Sequence, residues 1–171
     1  MTAKASISMT VSGGQEGANS FGGGPFWNGL ISFASALGSG VAGKQIDTLY
    51  MAERTVAASS SDDIDLAGVL TDALGASIVA AELVGIVVVN EPKDPAAARN
   101  QSTLTIGGAT NPVPGFSAAI VPIEPGGVFA AFSPGTAGIA TVTAATGDKI
   151  RVANGAGGTA KYQIAILARS A

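Results

Sequence analysis

Three aspartates in one stretch, Asp62, Asp63 and Asp65, form the only acidic cluster in this chain of 171 residues. Carboxylates so close together could hold an oxygen-liganded cation, and calcium is the ion such a set would take. A calcium loop needs about six to eight oxygen ligands at a turn-forming spacing such as D-x-D-x-D-G. The stretch DDIDLAG lacks that loop, so the simpler reading is a solvated strand face beside the serine-rich turn SSSDD.

Other chemistry is narrowed by what the chain lacks. It has no histidine and no cysteine, which removes the Ser-His-Asp triad, the Cys-His pair, His-ligated zinc and all thiol chemistry. A two-carboxylate glycosidase remains conceivable, with Glu124 and Asp148 as the pair. Both sit beside Gly or Pro in turn sequences, where acidic residues are expected without catalysis. The glycine clusters at Gly22-Gly23-Gly24, Gly126-Gly127 and Gly157-Gly158 do not fit G-x-x-x-x-G-K-[ST], and none leads into a helix that could face phosphate. No catalytic, cofactor-binding or metal-ligating residue is therefore assigned, no cofactor is expected, and the chain does not read as an enzyme.

Phe21, Phe26 and Trp27 form the one aromatic concentration, and glycines flank it. Such a group either plugs onto its own domain or anchors into a neighbouring subunit, since aromatics make good interface hot spots. With Phe33, and with Ile7 and Met9 of a first strand able to pair with an open sheet edge, they are the candidate interface residues.

Composition points the same way. Charged residues make up 12% of the chain, about half the usual fraction. Gly, Ala, Ser and Thr take their place. A surface so poor in charge is either inert or covered by neighbours, and interface cores are depleted in charge. The nine basic residues are scattered and the net charge is −3, so no footprint for nucleic acid is present. Mean hydropathy is +0.41. Yet the longest strongly apolar run, LVGIVVV from Leu83 to Val89, is far short of the roughly 20 residues of a spanning helix, and no membrane partner is expected. The N-terminal MTAKASISMTV alternates and has no continuous apolar stretch, so an unexported protein made in the cytoplasm is expected.

The elements that must position these residues read as short strands between Gly, Pro, Asn and Asp turns. Ala3 to Val11 alternates strictly, with Ala5, Ile7, Met9 and Val11 on one face. Ser12 to Gly24 reads as a glycine-rich loop. Pro25 to Leu37 is ambiguous, because Phe26, Leu30, Phe33 and Leu37 fall at helical spacing while Gly29 and the aromatics argue against a helix. Strand patterns follow over Gln45 to Ala57, at Ile64 and Leu66, over Leu83 to Asn90, Thr103 to Ile106, Ala118 to Ile123, Val128 to Phe132, Ile139 to Ala144, Lys149 to Ala153 and Thr159 to Ala168. Glu91 to Ser102 reads as a surface loop. The expected fold is all-β, an antiparallel sandwich or barrel of about nine or ten strands, with the spacing typical of a sandwich. Residues 1–45 would supply an N-terminal strand plus a Gly- and aromatic-rich arm or loop, and residues 46–171 the sandwich.

From about Asp47 onward the sequence resembles a family of small virion proteins of tailed phages. The stretches that carry the likeness are DTLYMAERTVAASSSDDIDLAGVLTDALGA, ELVGIVVVN, TLTIGG, IEPGGVFAAFSP and GIATVTAATGDKIRVANGAGGTAKYQIAILA. These are turn and core residues. Gly13 to Gly43 departs from the pattern, being longer and richer in glycine and aromatics. The resemblance implies a capsid decoration or cement subunit of the virion, with an antiparallel, jelly-roll-like β-sandwich fold. Its expected partners are the major capsid protein and other copies of itself as a homo-oligomer. A tail or fibre component, with a glycan site around Tyr50, Trp27 or Tyr162, is the alternative, and a virion hydrolase the third reading.

Overall fold

The computed structural model describes residues 2–17, 24–118 and 121–171; the candidate Phe21 lies outside them. Fourteen strands follow one another: β1 (Ala5–Glu16), β2 (Phe26–Ser39), β3 (Gln45–Ile46), β4 (Thr48–Val56), β5 (Ser61–Asp65), β6 (Ala67–Thr71), β7 (Ser77–Val79), β8 (Glu82–Val89), β9 (Leu104–Ile106), β10 (Val121–Ile123), β11 (Val128–Phe132), β12 (Ala140–Thr141), β13 (Lys149–Asn154) and β14 (Ala160–Arg169). The described residues contain no helix.

Two antiparallel sheets face each other. One, here the arm-side sheet, has the order β11-β8-β14-β4 with β12 added on β8; the far sheet has the order β10-β9-β13-β5. Period-two alternation decides which side chains meet between them. Tyr162, Ile164 and Ile166 of β14 and Ile86 and Val88 of β8 point inward from the first sheet. Ile64 of β5, Leu104 and Ile106 of β9 and Ile150 and Val152 of β13 meet them from the second, and all are buried in one apolar cluster. This is an all-β antiparallel sandwich.

The N-terminal region is the main departure from the sequence reading. Ser12 to Glu16 continues β1, and Pro25 to Leu37 is neither helix nor loop. Phe26–Ser39 is one strand, paired with β1 over twelve residue pairs from Ala5↔Leu37 to Glu16↔Phe26. At roughly 3.3 Å per residue this hairpin arm is about 40 Å long. Pairing with a distant segment overrides local spacing here, as β structure commonly does. Ile139 to Ala144 shrinks to β12, and the turn-rich stretch after Leu66 closes as a small β6–β7 hairpin.

The arm's root is held by a second, smaller cluster. Leu37, Ile46, Val84 and Leu167 are buried there, with Ala3, Ala5, Ile7, Leu49 and Phe132 packed around them. Within the sheet Gly85 leaves room for the Phe132 ring of the paired strand, since a Cβ there would come within 3.0 Å of it. Beside this cluster Arg169 is fully buried. It donates to the carbonyls of Ala42 (3.0 Å) and Gly135 (2.6 Å), and its Nε lies 2.9 Å from Glu82 Oε2 as an ion pair. One guanidinium thus ties the turn after the arm, the loop after β11 and the first residue of β8.

Because the two clusters are separate, they should fail separately. Ile86→Ala, which empties space between the sheets, should lower the unfolding free energy by about 3 kcal/mol. Leu37→Asp should instead release the arm, so its cost to the sandwich is capped by undocking. In urea titration its main transition should stay close to wild type, while limited proteolysis within β1 or β2 becomes fast. Equal losses of global stability for the two variants would contradict this division.

Candidate functional site

The residues with chemical potential are drawn into separate structural roles. Asp62 shares the inward face of β5 with Ile64, and Arg54 and Tyr162 come from β4 and β14 of the opposite sheet. Arg54 grips Asp62 with two bonds, Nε to Oδ2 at 2.6 Å and Nη2 to Oδ1 at 2.7 Å. The Tyr162 hydroxyl donates to the same Oδ2 at 2.7 Å, and Arg54 Nη1 donates to the Tyr50 hydroxyl at 2.8 Å. Both carboxylate oxygens are therefore occupied, and the set acts as a polar bolt between the sheets.

The neighbouring aspartates have partners of their own. Asp63 lies opposite Arg151, and Asp65 opposite Lys149, in the β5–β13 pairing. Arg151 clasps Asp63 through Nε at 2.6 Å and Nη2 at 2.7 Å, and Lys149 is 3.9 Å from Asp65. The cluster is thus three cross-strand or cross-sheet ion pairs, where the sequence suggested a solvated face. Among the described residues no group of three or more acidic side chains is placed to share a metal ion.

Glu124 and Asp148 are not brought together. Glu124 accepts from Thr103 at the end of β9, next to the Asn154↔Leu104↔Ile123 row. Asp148 precedes β13 at its opposite end, which puts the carboxyls roughly 20 Å apart along that strand. A glycosidase pair stands within about 10 Å. Asp148 is buried and accepts from the Ala145 amide, stapling its turn. Tyr50 and Tyr162 are buried as well, so the aromatic pocket expected around them for a glycan is not formed.

The arm, by contrast, leaves a set of large apolar side chains open to solvent. Directly paired residues of a hairpin share a face, so one face of the arm carries Ala5/Leu37, Ile7/Ser35, Met9/Phe33, Val11/Ile31, Gly13/Gly29 and Gln15/Trp27. At the root this face is covered. Ile7 packs in the small cluster, and Phe33 meets Phe132 edge to face at 5.7 Å. Beyond that point it is bare: Met9 is 50% exposed, Trp27 63% and Ile31 75%. The Trp27 ring lies over Gly29, where a Cβ would come within 2.2 Å of it, and so carries the apolar stripe across the glycine row. The other face holds Ser6, Ser8, Thr10 and Ser12, with Leu30 and Phe26 toward the tip. Of the interface candidates, Met9, Trp27, Phe33 and Ile7 thus lie on one stripe, while Phe26 points to the opposite face.

The outer face of the arm-side sheet has a matching character. Its side chains form rows across four strands: Leu49-Leu167-Gly85-Phe132, then Met51-Ala165-Val87-Ala130, then Glu53-Gln163-Val89-Val128. The arm's root covers the first row. The second row is open, as are Val89 and Val128 of the third, where the loop after β8 bonds to Glu53 and Gln163; Met51, Val87, Val89 and Ala165, with Lys93 of that loop, line a shallow groove of about 280 Å³ there. Sequence reasoning missed this surface because it arises only when three non-consecutive strands are set side by side. The continuous β-branched run of β8 was the one available signal.

Comparison with known protein families, with characterised proteins and with solved structures finds no match to this chain.

Electrostatics give this region a pH dependence. Burial alone would push the Asp62 carboxyl up, but the bonds from Arg54 and Tyr162 outweigh it and hold it below the ordinary carboxylate range. Asp63 is held down by its bond from Arg151. Both are more acidic in the fold than in the unfolded chain, where the value is about 3.9. Their contribution is therefore complete above that value and is lost as pH falls through the folded values. Asp62→Asn should lower stability at neutral pH by about 2 kcal/mol. The gap from wild type should narrow below about pH 4, measured by urea unfolding across pH. A gap that stays constant into acid would show that the carboxylate charge is not what matters.

Proposed function

We propose that this chain is a structural subunit of a virus particle, a decoration or cement protein that stabilises the head by protein–protein contact. The observation that carries the proposal is the arm: a long β-hairpin with a single charge, Glu16, whose apolar face is buried at its root and bare beyond it. Two-stranded hairpins are only marginally stable alone in water, and a contiguous exposed apolar stripe marks an interaction surface. Such an arm gains its stability on docking.

Strand order supports a jelly-roll reading. Numbering the sandwich strands β4, β5, β8, β9, β10, β11, β13 and β14 from one to eight, the sheets run 1-8-3-6 and 2-7-4-5. That is the pairing of two interlocked Greek keys, an arrangement used by viral capsid and lectin domains. Fold alone does not assign function, so the arm is the stronger argument.

Purified chain added to expanded heads that lack it should co-sediment with them and raise the temperature at which they open. Trp27→Ala should weaken attachment by about tenfold or more if the stripe is the contact. Failure to bind any head lattice would end the decoration reading. Recovery of the chain from tails of purified particles would move it to the tail or fibre reading instead.

A further inference from the structure

We propose that the bare half of the arm's apolar face lies on the open part of the second and third rows of the arm-side sheet of a second copy of this chain. It rests on reading the hairpin as an assembly arm, but not on which particle the chain belongs to.

Continuity is the first argument. Within one chain the same arm face already packs on the same sheet face: Ala5, Ile7, Leu37 and Phe33 sit on Leu49, Leu167, Val84 and Phe132. Past Phe33 the arm runs out of sheet, while past Leu167 the sheet runs out of arm. The two bare surfaces are the continuations of one interface, and a second molecule supplies what each lacks.

Size and chemistry agree. From Met9 to Gln15, opposite Trp27, the bare stripe is roughly 20 Å long, and the outermost strands of the four-stranded patch are roughly 15 Å apart. An arm laid across the strands therefore spans them. Its protruding groups, Met9, Val11, Ile31 and Trp27, are large, whereas the middle of the patch is lined by the smaller Val87, Ala165 and Ala130 beside the groove. Both surfaces are poor in charge. Glu16 is the only charged residue from Ala5 to Ser39. On the sheet rows Glu53 is the only one, and it already accepts from the Lys93 amide and lies 4.0 Å from Lys161 Nζ; the exposed Lys93 stands at the rim of the groove, where its long side chain keeps the amine in water.

The contact joins unlike patches, arm to sheet, with each copy donating one arm and receiving one. Two copies exchanging arms about a two-fold axis close it as a dimer; without that axis it closes into a larger ring or propagates as a filament. One arm footprint is small beside the roughly 800 Å² per partner of a stable interface. A closed ring, in which every copy makes two such contacts, is the favoured product.

Cysteine placement tests this cleanly, because the native chain has no cysteine. One preparation carries Ile31→Cys on the arm and another Ala130→Cys on the sheet; both positions are exposed, and thermal midpoints near wild type would show intact folds. Mixed, and treated with a short bis-maleimide, they should give a covalent dimer containing one of each. Each preparation alone should give little. In sedimentation the native chain should be oligomeric at high micromolar concentration. Ile31→Asp and Met51→Asp should each weaken self-association by at least about thirtyfold. A monomeric native chain, a dimer formed chiefly between two arm cysteines, or no arm-to-sheet product would overturn the proposal. Self-association without binding to heads would leave this interface standing and remove only the decoration reading.

Discussion

The outer face of the arm-side sheet is apolar across four strands in its first two rows and at Val89 and Val128 in the third, and everything distinctive about this chain follows from how that face is covered. A sandwich needs only its inner faces to be hydrophobic. Here Leu49, Leu167, Val84 and Phe132 place a second apolar surface outside the first core. Water contact over such a face is unfavourable by roughly 25 cal/mol for each Å². The chain answers with its own N-terminal hairpin, which reaches only the first row. Gly85 lets the Phe132 ring and the Leu167 side chain close over its position from the two paired strands, which completes the surface the arm's root lies on. Arg169 then fixes the turn leaving the arm, so the arm's root is held both by burial and by directed bonds.

Much of the sandwich was legible because strand alternation is a local signal. The partition of β4 into Tyr50, Ala52, Arg54 and Val56 against Leu49, Met51, Glu53 and Thr55, and the inward set Tyr162, Ile164 and Ile166 of β14, can be read without knowing any partner strand. The arm was half legible for the same reason. Its first strand alternates, but in the second the apolar residues Phe26, Leu30, Phe33 and Leu37 are separated by four, three and four positions, which mimics a helix. On the strand that set divides, with Phe33 and Leu37 on one face and Phe26 and Leu30 on the other. Only pairing with β1, more than ten residues away in sequence, settles the matter. Gly13 and Gly14 misled in the other direction. Glycine is costly in a strand, yet Gly13 sits opposite Gly29 in the row that Trp27 covers.

The candidate chemistry was legible in type but not in partnership. Asp62, Asp63 and Asp65 are visible as a cluster, but their cations come from eight residues earlier and more than eighty residues later. Nothing in DDIDLAG announces that Asp62 turns inward to meet Arg54 and Tyr162. The cross-strand cations also explain how a run of acids is tolerated: each charge is neutralised before the next one is felt. Asn90 and Asn100 are a parallel case. They are buried together, with Asn90 donating to the carbonyls of Ser102 and Ile123 and Asn100 bridging to Lys161. The polar loop after β8 is thereby pinned to both sheets by residues whose role has no sequence signature.

Charge is not thin everywhere, and its distribution argues for what the arm does. On the sandwich, Asp62, Asp63, Asp65, Glu82, Glu91 and Glu53 each have a cation within ion-pair distance. From Ala5 to Ser39 there is a single charge, Glu16 near the tip. Exposed strands commonly carry charge to prevent edge-to-edge association, and the arm omits that protection. It is not hydrophobic all round, however. Ser6, Ser8, Thr10 and Ser12 occupy the face away from the sandwich, so the arm is built to be covered on one side and wetted on the other. A segment meant to stay free would need charges on its apolar side. A segment meant to be swallowed whole would not need the serines. An arm with one dry face, and an opposite face lined by hydroxyls from Ser6 to Ser12 before Leu30 and Phe26 near the tip, is suited to lying flat on the outside of a sheet.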